Sequence, residues 1–200
     1  MIDRPAQTAL KPLLTLLARP LVAAGVSADA VTLLGFAVGI AAAGTIALGE
    51  PALGLVLILA SRLLDGLDGT VARLTAASDR GAFLDIALDF VFYASIPLAF
   101  AVHEPVANGL PAAVLLAAFV ATGSSFLAFA VLAQKRGLAD TAHPGKGFFF
   151  LGGLTEAGET LVCFALMCLW PQHFALWAYG FAALCAITWA SRIAAGWRRL

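Results

Sequence analysis

The chain has 200 residues, of which 62% are hydrophobic and only 12% charged. Soluble domains are roughly half apolar and about a quarter charged, so this composition excludes an ordinary soluble fold and indicates an all-α protein that crosses a membrane several times. The formal net charge is zero, which removes the basic field that a nucleic-acid partner would need. We therefore expect a single membrane domain over residues 1–200, embedded in a lipid bilayer and without a nucleic-acid partner.

The N-terminal segment mixes basic and apolar residues. Residues 8–24 combine Lys11 and Arg19 with several leucines, a pattern typical of an amphipathic helix that lies in the membrane interface. Ser27 or Asp29 is then suited to cap the next helix.

Six mostly apolar segments come after it, each near the 20 or so residues with which a helix crosses a bilayer. The domain is thus predicted to be an interfacial helix at 1–28 and a six-helix bundle at 29–200. The predicted spans are 30–49, 52–74, 81–102, 109–134, 147–169 and 174–196.

The basic residues predict the orientation of these spans, because Lys and Arg near span ends are retained in the cytoplasm. The breaks at 49–51, 103–108 and 170–173 contain neither residue, and nearly all Lys and Arg fall near the opposite face. An even number of spans places both termini on that basic face, which we predict to be cytoplasmic.

Four aspartates lie within the second and third predicted spans. Carboxylates at hydrocarbon depth are costly and usually face the bundle interior at a functional site. Asp65 and Asp68 are related by i,i+3 and Asp85 and Asp89 by i,i+4, so each pair shares one face of its helix. The short connection makes the two helices antiparallel neighbours, and we expect all four carboxylates to converge.

Converging carboxylates repel one another unless a cation lies between them. Oxygen ligands favour Mg²⁺, Mn²⁺ or Ca²⁺, and magnesium suits a site completed by substrate phosphate. Four acids offer ligands for two ions. Arg62, one turn before Asp65, is open to two interpretations, a counter-ion for the acids or a ligand of the site.

Small residues surround the acids. Gly66, Gly69 and Gly81 either leave room for a bulky ligand or permit close helix packing. Arg73, a turn after Gly69, either binds phosphate or extends to the interface, and the neighbouring acids favour phosphate.

These residues form the pattern D-x-x-D-G-x-x-A-R, a short spacer, and G-x-x-x-D-x-x-x-D. The pattern resembles that of the CDP-alcohol phosphatidyltransferases. Residues 26–36 are similar to that family's segment before the first span, and 146–160 to a bacterial inner-membrane subgroup, whereas Ala28 stands where many members have proline. The matching residues are Asp65, Asp68, Gly69, Ala72, Arg73, Gly81, Asp85 and Asp89.

The resemblance implies an enzyme of phospholipid biosynthesis. Such an enzyme transfers a substituted phosphate from a CDP-linked lipid, such as CDP-diacylglycerol, to the hydroxyl of an alcohol and releases CMP. Glycerol phosphate, inositol phosphate, serine and amino alcohols all remain possible acceptors. The expected cofactor is Mg²⁺ or Mn²⁺, two ions per site.

Family roles carry over to the matching positions. Asp65, Asp68 and Asp85 are expected to be metal ligands, and Asp89 both a ligand and the general base. A homodimer in the bacterial inner membrane, with a cytoplasmic active site, is also implied. The expected contacts to the CDP-lipid are Asp29, Thr32, Asp65, Gly69, Ala72, Arg73, Ser78 and Gly81.

The acceptor site is predicted from acids in the fifth span. Counting from Lys146, Glu156 would lie about 15 Å along that helix, near the depth of Asp89. We expect Glu156, together with Lys135, Lys146 and Arg192, to contact the acceptor, or alternatively to form hydrogen bonds between helices.

Two other functions use intramembrane aspartates. An ion or metal transporter would place them along an ion pathway, and an intramembrane aspartyl protease would need two acids sharing a proton. Neither function explains the glycine and arginine positions of the pattern.

Overall fold

The computed structural model describes residues 3–137 and 153–199. The regular structure in these two stretches is entirely helical, as expected for an all-α protein. The helices are α1 (Asp3–Ala23), α2 (Ala28–Ala47), α3 (Pro51–Leu74), α4 (Asp79–His103), α5 (Pro105–Lys135), α6 (Ala157–Leu169) and α7 (Phe174–Arg199), with a 3-10 turn at Pro171–His173 before α7.

Local sequence signals explain several helix ends. Ser27 caps α2, because its Oγ accepts a hydrogen bond from the Ala30 N–H at 3.2 Å, and this confirms one of the two predicted caps. Pro105 occupies the first turn of α5, where a missing N–H costs nothing, so α5 begins at 105 rather than at 109. Gly49, with φ +89°, ends α2 two residues earlier than predicted.

Four of the described helices are long and apolar enough to cross a membrane. The third helix, α3, has spanning length but carries Arg62, Asp65, Asp68 and Arg73. The sixth, α6, has only 13 residues. The expected count of six spans therefore stays a prediction. The four apolar helices are Ala28–Ala47, Asp79–His103, Pro105–Lys135 and Pro171–Arg198.

The prediction that the fifth span runs continuously through 147–169 is wrong over 153–156, where the chain is not helical. Glu156 is instead the N-cap of α6. Its carboxylate accepts from the Glu159 N–H, and the Glu159 carboxylate accepts from the Glu156 N–H at 3.2 Å. This reciprocal capping box sets the start of α6.

Helix α1 covers the segment predicted to be amphipathic. Leu14 and Ala18 are buried against α3, with Leu67 and Val71 opposite them. Leu10, Leu13 and Leu16 of α1 are exposed. The position of α1 in the membrane interface stays a prediction.

The main core lies among α2, α3, α4, α5, α6 and α7. Aromatic rings fill its centre, and Phe100 stacks on Phe174 with ring centroids 4.8 Å apart. Cys163, Cys168 and Cys185 are buried there as free thiols. The largest fully buried side chains include Phe92, Phe100, Phe164, Phe174, Ile46, Ile58, Ile96, Leu115 and Met167.

Gly39 lies where α2 packs closely against α3 and α4. A Cβ there would lie 2.6 Å from Phe92 Cδ2 and 2.9 Å from Ser61 Oγ. On the same helix, a Cβ on Gly44 would meet nothing within 4 Å.

We therefore predict opposite effects of alanine at these two glycines. Gly39→Ala should destabilise the fold by about 1–3 kcal/mol through overpacking. Gly44→Ala should be neutral or stabilise it by up to about 1 kcal/mol through helix propensity. Thermal unfolding in detergent measures both, and equal midpoints for the two variants would contradict this packing.

Candidate active site

Three of the four predicted metal ligands converge. Asp65 and Asp68 lie on one face of α3, and Asp85 lies on the facing side of α4. One carboxylate oxygen from each lies within 4.8 Å of the other two. This convergence of Asp65, Asp68 and Asp85, called the aspartate triad below, agrees with the i,i+3 spacing on α3 and with the short connection between the helices.

The aspartate triad fits a divalent cation. Asp68 is only 5% exposed, and its buried Oδ2 has no hydrogen-bond partner among the described residues. Buried polar oxygens are normally satisfied, so this oxygen is suited to a ligand from outside the chain. Carboxylate oxygens are the ligands that Mg²⁺ and Mn²⁺ prefer.

The fourth acid, Asp89, has a different partner. Its Oδ1 accepts a hydrogen bond of 2.7 Å from Nη1 of Arg62, and the same nitrogen lies 3.3 Å from Oδ1 of Asp65. Of the two interpretations open for Arg62, this geometry supports the counter-ion.

The Arg62 side chain is held from several directions. Its guanidinium carbon lies 4.0 Å from the centroid of the Phe92 ring and 5.7 Å from that of Tyr93. Its Nη2 donates to Ser61 Oγ at 3.3 Å. The Ser61 hydroxyl in turn donates to the Gly35 carbonyl of α2 at 2.8 Å. Contacts with residues of α3 and α4, and through Ser61 with α2, therefore fix the position of the Arg62 side chain.

Two of the predicted CDP contacts lie together on α3. Nη1 of Arg73 would lie 3.4 Å from a Cβ on Gly69, so the guanidinium covers the surface that this glycine leaves open. Nη2 of Arg73 donates to Thr70 Oγ1 at 2.9 Å. Ala72 is half-buried beside Arg73.

A second group of predicted CDP contacts meets at the start of α4. Ser78 caps α4 by accepting from the Gly81 N–H at 3.0 Å. A Cβ on Gly81 would lie 3.1 Å from Asp29 Oδ1, which comes from the first turn of α2. Thr32, one turn along α2, lines a small cavity with Asp65 and Asp89.

Of the four predicted acceptor residues, Glu156 and Arg192 lie close to each other. Gly153 connects two of them, because its N–H donates to Glu156 Oε1 at 3.2 Å and a Cβ on it would lie 3.0 Å from Nη2 of Arg192. Arg192 is 7% exposed and donates to the Thr122 carbonyl at 3.3 Å. Lys135 is exposed in the last turn of α5, and Lys146 lies outside the described residues.

The depth argument for Glu156 is corrected by this arrangement. Glu156 does not project from the middle of a spanning helix, because it caps α6. Contact between the Glu156 carboxylate and the acceptor stays a prediction, and the acceptor would then have to reach the N-terminal end of α6.

Sequence reasoning missed several residues around the acids. Gly35, Phe36 and Leu88 line the same small cavity as Asp65 and Asp89. Helical spacing offered a signal, since Gly35 lies one turn after Thr32. Phe92 likewise lies three residues after Asp89, on the face that meets Arg62.

The comparisons with known proteins identify the class. The model of the CDP-alcohol phosphatidyltransferase family matches residues 25–192, so the chain belongs to that family. The predicted family and reaction class are thereby confirmed, and the transporter and protease alternatives are set aside.

One relative is similar to this chain over its full length. The chain is 47% identical to inner membrane protein YnjF of Escherichia coli (strain K12) over 200 residues, which is 100% of this chain and 97% of that protein. The expected similarity to a bacterial inner-membrane subgroup is thus confirmed.

Solved structures of Mycobacterium tuberculosis phosphatidylinositol phosphate synthase (PgsA1) share the fold. The structure with CDP-DAG bound has a TM-score of 0.71 at 23% identity and covers 93% of this chain and 94% of that chain. The complex with manganese and citrate has a TM-score of 0.73 at 22% identity, with coverages of 92% and 88%.

The aspartate triad predicts a specific loss of metal binding. Asp68→Asn keeps the shape of the side chain but removes a charge from the triad, so Mn²⁺ binding should weaken at least about tenfold. Electron paramagnetic resonance of free Mn²⁺ measures this affinity. Glu50→Gln is the matched control, since Glu50 is exposed before α3 and makes no side-chain cap. Equal losses in both variants would contradict the triad.

Proposed function

We propose that Asp65, Asp68, Asp85 and Asp89 carry the transfer of a substituted phosphate from a CDP-linked lipid to an alcohol. The observation that carries this assignment is the aspartate triad, whose oxygens lie within 4.8 Å of one another. Two of its members, Asp65 and Asp85, line a small cavity together with Thr32, which is expected to contact CDP. The family of the chain supports the reaction class. The PgsA1 structure with CDP-DAG bound, which has the same fold, supports a CDP-linked lipid as the donor.

The proposed cofactor is Mg²⁺ or Mn²⁺, held by the aspartate triad. When bound, such an ion neutralises the charge that develops on the leaving phosphate. Support comes from the buried, unpartnered Oδ2 of Asp68 and from manganese in a PgsA1 structure of the same fold. The expected second ion would require Asp89, which already contacts Arg62.

Asp89 is the proposed general base. Its carboxylate takes the proton of the acceptor hydroxyl while the hydroxyl oxygen forms a bond to the phosphorus of the lipid phosphate. The bond between that phosphorus and the bridging oxygen breaks, and CMP leaves with the electron pair. Arg62 holds Oδ1 of Asp89 at 2.7 Å, which orients the carboxylate for this proton transfer.

The CDP head is proposed to lie across the start of α4 and the end of α3. Arg73 over Gly69 offers a guanidinium to phosphate. Asp29 and Ser78 are close to the N-terminus of α4, where they offer hydrogen-bonding groups to the nucleotide. Thr32, Ala72 and Gly81 complete this proposed surface.

The acceptor is proposed to approach the side formed by Arg192 and Glu156. Arg192 is buried, and its Nε has no hydrogen-bond partner among the described residues. Such a donor is suited to an oxygen of the acceptor. Lys135 and Lys146 remain proposed contributors to the same region.

The membrane arrangement is also a proposal. We infer six spans, α1 in the interface, and both termini and the active site on the cytoplasmic side of a bacterial inner membrane. The basic residues near one face and the similarity to an inner membrane protein support this orientation. A homodimer is proposed from the family resemblance.

Removing the proposed base should abolish transfer. Asp89→Asn preserves shape but cannot accept the proton, so CMP release from CDP-diacylglycerol with Mn²⁺ should fall at least about 100-fold. The control is Glu104→Gln, an exposed acid at the other end of α4 without a side-chain cap. A folded Asp89→Asn variant that retains turnover within tenfold of the parent would refute the base assignment.

A panel of alcohols identifies the acceptor class. Purified protein would be incubated with CDP-diacylglycerol, Mn²⁺ and, separately, glycerol phosphate, inositol phosphate, serine or an amino alcohol. Mass analysis of the lipid product then names the acceptor.

Glu156→Gln tests whether the Glu156 charge affects the acceptor. Glutamine keeps one side-chain oxygen that can accept from the Glu159 N–H of the α6 cap, while the charge beside Arg192 is lost. The apparent acceptor affinity should weaken by more than about tenfold, with CDP affinity unchanged within about twofold. Calorimetric CDP binding and acceptor kinetics measure the two effects. Equal changes in both, or none in either, would leave Glu156 with capping alone.

A further inference from the structure

Arg62 divides the four acids into two sets. The aspartate triad offers three oxygens to one divalent ion. Asp89 is hydrogen bonded to Arg62 at 2.7 Å, and the same guanidinium nitrogen lies 3.3 Å from Asp65. Asp65 is thus shared between the triad and Arg62, whereas Asp89 is not a member of the triad.

The position of Arg62 is fixed by groups other than the acids. The Phe92 ring lies 4.0 Å beneath its guanidinium, a distance typical of a cation–π contact. Ser61 Oγ accepts from Nη2, and Ser61 is itself anchored to the Gly35 carbonyl. Phe92 is 1% exposed and packs against Phe164, which limits the movement of the ring.

Charge balance limits how many ions the four acids accept while Arg62 is in place. Two divalent ions would by themselves neutralise four carboxylates, and both acid partners of Arg62 would then be occupied by metal. A buried guanidinium without a carboxylate partner is strongly unfavourable. One divalent ion together with Arg62 leaves each of the four acids beside a positive charge.

We propose that Arg62 takes the place of a second cation in the free enzyme. The aspartate triad binds one divalent ion tightly, and a second ion, which needs Asp89, binds only in competition with Arg62. Arg62 is therefore a positioning residue that sets the number of ions bound before substrate arrives. This inference rests on the proposed function of the triad as a metal site.

Counting bound Mn²⁺ by electron paramagnetic resonance of the free ion tests the proposal in purified full-length protein without substrate. The parent should bind one Mn²⁺ per chain tightly and a second at least about tenfold more weakly. Arg62→Met keeps an unbranched side chain over Phe92 but removes the charge, so its two sites should differ in affinity by less than about threefold. Arg62→Met combined with Asp89→Asn should return to one ion.

Arg62→Lys is the matched control, because it retains a positive charge at the same position. Its second Mn²⁺ should remain weak, within about threefold of the parent. Two equally tight ions in the parent, or an unchanged weak second ion in folded Arg62→Met, would overturn the proposal. If Arg62→Met does not fold, Arg62→Gln, which also removes the charge, takes its place in the same titration with the same expected and contradicting results.

A separate measurement keeps this proposal distinct from the function. CMP release from CDP-diacylglycerol, measured in the same parent preparation, tests the transfer reaction alone. Absent CMP release with one tight and one weak Mn²⁺ would refute the proposed reaction but support the role of Arg62. Normal CMP release with two tight ions would refute only the role of Arg62.

Discussion

Four carboxylates inside an apolar helical bundle must be matched by positive charge, and this constraint organises the structure around the site. Repulsion among them grows as water is excluded. In the part of the chain that the structure describes, Arg62 supplies a positive charge to these acids by contacting Asp65 on α3 and Asp89 on α4. The aspartate triad leaves the remaining negative charge for a cation from outside the chain. Among the described residues, the fold therefore brings more negative than positive charge to this site, which suits the site to a cation.

Small residues allow the surrounding helices to approach closely enough for this arrangement. A Cβ on Gly35 would lie 3.1 Å from Leu64 Cβ, so glycine permits the contact of α2 with α3. That contact brings the Gly35 carbonyl to Ser61, and Ser61 to Arg62. The absence of a side chain at Gly39 also allows Phe92 and Ser61, which both contact Arg62, to pack closely against α2. Helix packing and the electrostatics of the site thus depend on the same few positions.

Much of the site was predictable from sequence because helical spacing fixes which residues share a face. The spacing of Asp65 and Asp68 on α3, and the short connection to Asp85 on α4, predicted the convergence of these three acids. Spacing within a helix does not determine how two helices rotate against each other. The pairing of Asp89 with Arg62, rather than with the other three acids, depends on that rotation and on the Phe92 ring. For this reason sequence alone left the role of Arg62 open.

The start of α6 is a second feature that the sequence did not predict, because hydropathy alone does not locate the end of a helix. An apolar run with small residues predicted a helix through 147–169, but Glu156 and Glu159 form a capping box that starts the helix at Ala157. The motif E-x-x-E is weaker evidence for a cap than serine or threonine would be, because glutamate is not a preferred N-cap residue.

The hydrogen bond from Gly153 to Glu156, and the close fit of Gly153 against Arg192, add tertiary contacts that the local sequence does not reveal. A glycine at 153 is needed because a Cβ would also lie 2.4 Å from Thr188 Cγ2. Gly153, in the non-helical segment before α6, therefore lies next to both the Glu156 carboxylate, which caps α6, and the buried guanidinium of Arg192. A continuous helix through 147–169 would not contain this arrangement.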